Sequence, residues 1–240
     1  MKEYTQEELR QHIICTFPHG SSVYNIMPTE FSDIDIIAIV DDSLDFSEYP
    51  NKIYEQTYNL ELKDFPGTVV TFNQQPINRD YMDFDFQYIN ESTFIEMMKN
   101  HHIIAIESLW LREDLYHGKF DYAKYFTLDN WKLRQVISGI VNNSWAKCHK
   151  KLTVEKDYDF YRAIKSLFHC LRLYTFGIQI ARDGKITDYS AANHYWEDLW
   201  DKDIVPSHKW EDYKALYQPQ LNALRSEFVK YCPKPIQNGK

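Results

Sequence analysis

The apolar positions change period along the chain. Up to about residue 120 they alternate or form short runs, and from about residue 128 they recur at helical spacing. Thr5 followed by Glu8 makes a capping box and predicts a short helix to about His12. Ile13–Phe17 predicts a strand that delivers the chain to Pro18-His19-Gly20. From Ile36 to Val40 every residue is apolar, as in a central strand covered on both faces. Asp41, Asp42 and Asp45 then read as solvated loop, within an acidic and aromatic stretch that reaches Asn59. Thr68–Phe72 predicts a strand after the Pro66-Gly67 turn. Tyr81–Ile89 alternates, with Asp83 and Asp85 on one face and Met82, Phe84, Phe86 and Tyr88 on the other. Thr93 and Glu96 form a second capping box for a helix. His101-His102 falls at its end, where partial positive charge favours the helix dipole. Ile103–Trp110 is largely apolar, with Glu107 inside it.

Gly118–Thr127 is polar and aromatic and marks a boundary. The expected organisation is a core over residues 1–120 and a helical domain over 121–240. Leu128–Leu152 and Tyr158–Ala181 read as long helices, the second ended by the turn Arg182-Asp183-Gly184-Lys185. Ala191–Trp200 and Trp210–Tyr231 read as two more, the last disturbed near Pro219. The tail from Pro233 is expected to fray.

Two stretches carry candidate chemistry. The first is His19-Gly20-Ser21-Ser22-Val23-Tyr24-Asn25, followed by Ser32-Asp33-Ile34-Asp35 at the head of the apolar strand. In a strand Asp33 and Asp35 share a face, roughly 6.5–7 Å apart along the backbone. Two ionised carboxylates this close repel unless a cation lies between them. Hard oxygen donors call for Mg²⁺ or Mn²⁺. A pair of such ions can hold the attacking and leaving oxygens of phosphoryl or nucleotidyl transfer. Gly20 allows close backbone approach, and Ser21, Ser22 and the amides after them can donate to phosphate. The second stretch is Lys165, His169 and Arg172, at i, i+4 and i+7 on one helix face, with Arg162 on the same side. Such a basic stripe can clamp a triphosphate.

The first stretch resembles the nucleotidyltransferase fold of the DNA polymerase β superfamily. The carriers are Gly20-Ser21 and Asp33-Ile34-Asp35. The fuller string, with Val23-Tyr24-Asn25 and Ser32, is most similar to the RNA-ligase-associated branch, in which a glycine stands where this chain has Asn25. His169-Cys170-Leu171-Arg172 and Gly184 are similar to the helical domain that follows that core. The resemblance implies an α+β protein: a small mixed-sheet core followed by a C-terminal helical bundle, with a nucleotide in the cleft between them. It implies a third carboxylate from a neighbouring strand that activates the attacking hydroxyl. Asp85 is the first choice for it and Asp83 the second. It implies two Mg²⁺ ions on Asp33, Asp35 and Asp85, and an NTP whose phosphates lie on Gly20, Ser21 and Ser22. Lys165, His169 and Arg172 are expected to meet the pyrophosphate. The acceptor it implies is an RNA 3′ end, such as tRNA, in repair. A small-molecule hydroxyl, a protein side chain, and a non-catalytic module of the same fold stay open.

Composition narrows these readings. The 240 residues suffice for one large domain or two small ones. A formal charge of -8 disfavours broad, non-specific binding to nucleic acid while allowing a local basic cleft. The seven glycines form neither G-x-G-x-x-G nor a P-loop, which excludes those nucleotide folds. Cys15, Cys148, Cys170 and Cys232 lack zinc spacing and read as reduced thiols of a cytoplasmic protein. Neither a signal peptide nor a membrane span is expected.

Overall fold

The computed structural model describes residues 2–24, 33–61, 71–72, 75–76 and 81–235. The chain forms two compact units, Met1–Thr127 and Leu128–Lys240. The fold is α+β, with a mixed sheet in the first unit and helices in the second.

In the first unit the strands are β1 (Ile13–His19), β2 (Ile34–Val40), β3 (Ile53–Glu61), the two-residue β4 (Thr71–Phe72) and β5 (Gln75–Pro76), β6 (Tyr81–Asn90) and β7 (His117–Gly118). Five of them form one sheet in the order β3-β6-β2-β1-β7. β2 and β6 run parallel at its centre, and the other pairings are antiparallel. The apolar run does what its composition dictates. Ile34, Ile36, Ala38 and Val40 face a core with Leu9, Phe46, Phe84, Phe86 and Tyr88. Ile37 and Ile39 face a second core with Phe17, Ile89, Phe94, Met98 and Tyr122. The helices α1 (Gln6–Gln11), α2 (Ser21–Tyr24), α3 (Glu91–Lys99) and α4 (Ile103–Glu107) complete the unit. Thr5 caps α1 through the expected box with Glu8. Tyr122 packs into the second core with Phe120 and Phe126 against it, so these aromatics lie in the first unit.

Five local expectations need correction. Thr93 and Glu96 form no capping box: α3 starts at Glu91 with Asn90 as N-cap and no side-chain cap. Asn90 instead donates its amide to the Asp41 and Leu44 carbonyls. The orphan Ser92 N–H donates to Asp42, 3.1 Å away, so that carboxylate is anchored rather than merely solvated. His101-His102 is not a cationic cap. His101 is 1% exposed with φ 58°, and its N–H and that of His102 reach back to Met98 and Met97 in a Schellman turn. Partial desolvation by its neighbours pushes His102 below the usual imidazole range, which disfavours its charged form. Ile53–Glu61, within the stretch read as acidic loop, is strand β3. Asp33 is the residue before β2 and not part of it. Of the expected strand Thr68–Phe72, only Thr71 and Phe72 are among the described residues, as β4.

The second unit holds α5 (Asn130–Thr153), α6 (Phe160–Asp183), α7 (Asn193–Trp196) and α8 (Trp210–Tyr231), which runs through Pro219. Asp129 and Asp159 cap α5 and α6, and Gly184 in left-handed conformation ends α6. Leu167, Leu171 and Tyr174 are buried along α6, as their spacing predicts. Among the described residues no helix is long and apolar enough to cross a membrane. All four cysteines are free and buried, and burial raises Cys15 and Cys148 to about 12, so these thiols stay protonated.

Candidate active site

Register builds the site. Thr57 of β3 pairs with Asp85 of β6, Asp85 with Asp35 of β2, and Asp35 with His19 of β1. Paired residues share a face, so these side chains form one row across four strands, neighbours about 4.8 Å apart. The row lies on the sheet face that carries Ile37, Ile39 and Ile89. Asp33, Asp35 and Asp85 are each partly exposed, so a solute can reach them. Thr57 Oγ1 donates to Asp85 Oδ1 at 2.5 Å and orients that carboxylate.

The structure thus separates the two candidates for the third carboxylate. Asp85 stands beside Asp35, whereas Asp83 lies one strand repeat away and accepts from Asn59 Nδ2 at 2.7 Å. Asp83 is exposed and Asp85 only partly so.

Gly20 closes the row. Its φ is +73°, and a Cβ there would stand 2.6 Å from Asp35 Oδ2. Only glycine meets both conditions without strain. The Gly20–Val23 turn is held by Val23 N–H donating to the Gly20 carbonyl at 3.0 Å. Ser22 Oγ donates to the His19 carbonyl at 2.9 Å, so in this structure that hydroxyl closes the turn. Ser21 is partly exposed beside it. Asn25 and Ser32, which belong to the motif, lie outside the described residues.

Behind the turn sits a carboxylate that has no role in the motif. Glu107 of α4 is 3% exposed and accepts from Tyr24 Oη at 2.6 Å. Its Oε2 lies 3.9 Å from His19 Nδ1. A carboxylate inside an apolar run is the sequence signal that marks such a residue, because a buried charge persists only with partners. His19, the residue before the turn, occupies the end of the carboxylate row.

The donor set fits a hard divalent cation in kind: three carboxylates, two of them cross-strand neighbours and the third two residues upstream of Asp35. As the side chains stand, no group of three His, Cys, Asp or Glu among the described residues converges tightly enough to hold a metal. A cavity of about 450 Å³ lies away from this row, lined in part by Arg10, Thr16, Tyr58, Phe86 and Tyr88. Phe86 and Tyr88 belong to the opposite sheet face, so the carboxylate row does not line that cavity.

The basic stripe belongs to the second unit. Lys165 and Arg162 are exposed, and Arg162 Nε lies 3.5 Å from its own N-cap carboxylate, Asp159. Arg172 Nη2 and His169 Nδ1 are 2.9 Å apart, and the Arg172 guanidinium lies 5.8 Å from the Phe168 ring centroid. The stripe is therefore stiffened by contacts within its own helix.

No protein-family model matches the chain, and no curated protein sequence does. Among solved structures the chain is similar to a nucleotidyltransferase-like protein from Exiguobacterium sibiricum 255-15. The two are 11% identical, with a TM-score of 0.31 over 92% of this chain and 72% of that one.

Proposed function

We propose that the chain is a nucleotidyltransferase that moves an NMP from an NTP to an acceptor hydroxyl. The observation that carries this reading is the Asp35–Asp85 register pair with Gly20 packed against Asp35. Asp33, Asp35 and Asp85 would hold Mg²⁺ or Mn²⁺, which when bound offsets phosphate charge. Asp85, oriented by Thr57, takes the proton of the acceptor hydroxyl. The hydroxyl oxygen bonds to the α-phosphorus as the bond to the bridging oxygen breaks, and pyrophosphate leaves. Gly20, Ser21 and the turn amides hold the β- and γ-phosphates, with Ser22 shaping the turn. Lys165 and Arg172, with His169 on the same helix face, form a basic stripe that attracts phosphate. Positioning and electrostatics supply most of the acceleration in such chemistry.

The acceptor we favour is an RNA 3′ end, in keeping with the RNA-ligase-associated resemblance and a role in RNA repair. One observation favours a small-molecule or protein acceptor instead. Lys150 and Lys151, candidates to grip RNA phosphates, are each 2.8 Å from a different oxygen of Asp157. Each α-labelled NTP, incubated with Mg²⁺ and with RNA, protein and small-molecule fractions of a lysate, identifies the acceptor by the fraction that retains label. Label in RNA supports the first acceptor, and label elsewhere the second. NTP binding without any transfer would leave only the non-catalytic module.

A further inference from the structure

The turn that carries Gly20 is bracketed by two residues that reach the same buried carboxylate. His19 precedes Gly20, and Tyr24 ends α2. Tyr24 Oη donates to Glu107 Oε2 at 2.6 Å, and His19 Nδ1 lies 3.9 Å from that same oxygen, which makes an ion pair when His19 is protonated. Tyr24 is 1% exposed and Glu107 3% exposed, so the link lies out of water, where removing one partner is costly. A leucine would fill an apolar helix face without that burden.

We propose that Glu107 is a positioning residue: from α4 it holds both ends of the Gly20 turn and so fixes the turn against Asp35. The role assigned to that turn rests on the nucleotidyltransferase reading; the clamp itself does not. The chain of contacts is short. Glu107 accepts from Tyr24 and lies beside His19, these two bracket Gly20, and Gly20 packs on Asp35 Oδ2 with no room for a Cβ. A shift of the turn then changes both the phosphate cradle and the carboxylate beside it. Glu107 touches no substrate in this scheme and acts only through its partners.

The test uses the full chain with Glu107→Gln, Tyr24→Phe and the double variant. Hydrogen–deuterium exchange over residues 20–24 reads the turn, and equilibrium binding of each of the four NTPs reads its use. We expect both single variants to melt within a few degrees of wild type. Exchange across the turn should rise at least about fivefold, as when local opening becomes easier. Binding of the NTP that wild type prefers should weaken about tenfold or more, the usual effect of losing a support behind a ligand-binding group. The double variant should be no worse than the worse single one, because the two side chains act as a unit. Unchanged exchange in both folded single variants overturns the proposal, even if the melting temperature drops. Should Glu107→Gln fail to fold, Tyr24→Phe decides alone. If wild type binds none of the four NTPs, the nucleotide reading fails, while the exchange result still decides whether Glu107 holds the turn.

Discussion

Gly20 and Asp35 are locked together: a Cβ on Gly20 would stand 2.6 Å from Asp35 Oδ2, and the φ of +73° already disfavours any side chain. A glycine that packs on a carboxylate ties the turn to the acidic strand. Gly20→Ala therefore brings two penalties, backbone strain of about 1 kcal/mol and displacement of Asp35. Gly184, with φ +75° and open space at its Cβ position, is the matched control. We expect both alanine variants to lose a similar few degrees of melting temperature. Only Gly20→Ala should lose transfer, by on the order of 10² or more, the scale of disturbing one preorganised group. Equal activity in the two variants would show that Asp35 does not depend on this contact.

The register sets Asp85, and not Asp83, beside Asp35. Asp85 neighbours Asp35 and is oriented by Thr57, whereas Asp83 is bonded to Asn59. Asp85→Asn should abolish transfer and Asp83→Asn should retain most of it, measured as kcat/KM at saturating Mg²⁺. Thr57→Val should lower kcat several-fold with KM little changed, because it loosens the base without removing it. The reverse ranking of Asp83 and Asp85 would move the site by one strand repeat.

Acid sensitivity has a named contributor. The Ser43 hydroxyl, and after it the His12 ring and the Ser43 N–H, hold the Asp41 carboxyl at about 2, below its ordinary 3.8. A lowered carboxyl stabilises the fold above its unfolded value and stops doing so as pH falls through the folded value. The melting temperature of wild type should therefore exceed that of Asp41→Asn at pH 6. The gap should close between about pH 4 and pH 2. A gap that stays constant over that range would show that Asp41 acts without its charge.

RNA affinity is the next quantity to measure, at several salt concentrations. With Lys150 and Lys151 paired to Asp157, few cations remain on that part of α5 for phosphate. Each contact to a single strand adds about -0.7 to the salt slope, so two contacts give about -1.4. We expect weak binding to RNA 3′ ends with a slope of that size, lost when Lys147, Lys150 and Lys151 are changed to Glu while NTP binding persists. Undetectable RNA binding at low salt would pass the acceptor role to a small molecule or protein.

What could be read from the residues follows from how many physical constraints act on each. Ile36–Val40 was legible because a strand buried on both faces has no choice but to be apolar throughout. Asp83 and Asp85 were legible as alternating partners of Phe84 and Phe86. β3 was not, because it is an edge strand: Glu55, Thr57 and Asn59 face away from the Tyr54 and Tyr58 core, and their polarity reads as loop. The second capping box misled because Asp42, fifty positions earlier in sequence, supplies the acceptor for Ser92. The place of Asp85 at the head of Phe86–Ile89 already favours it over Asp83; that it stands beside Asp35 is a matter of the β2–β6 register, which is a tertiary fact. Glu107 stood out by its place in an apolar run, but its neighbours Tyr24 and His19 lie more than eighty residues away in sequence.

The most direct test of the account is transfer from α-labelled NTP, in the presence of Mg²⁺ and the acceptor fraction that takes label, by wild type and by Asp33→Asn, Asp35→Asn and Asp85→Asn, with folding checked by thermal melts. Wild type is expected to give labelled acceptor and stoichiometric pyrophosphate. Each variant is expected to lose at least about 10²–10³ in transfer without loss of fold, since removing one of a set of repelling carboxylates relieves strain. Transfer that persists at near wild-type rate in Asp35→Asn, or no transfer from any of the four NTPs by wild type, would contradict the account.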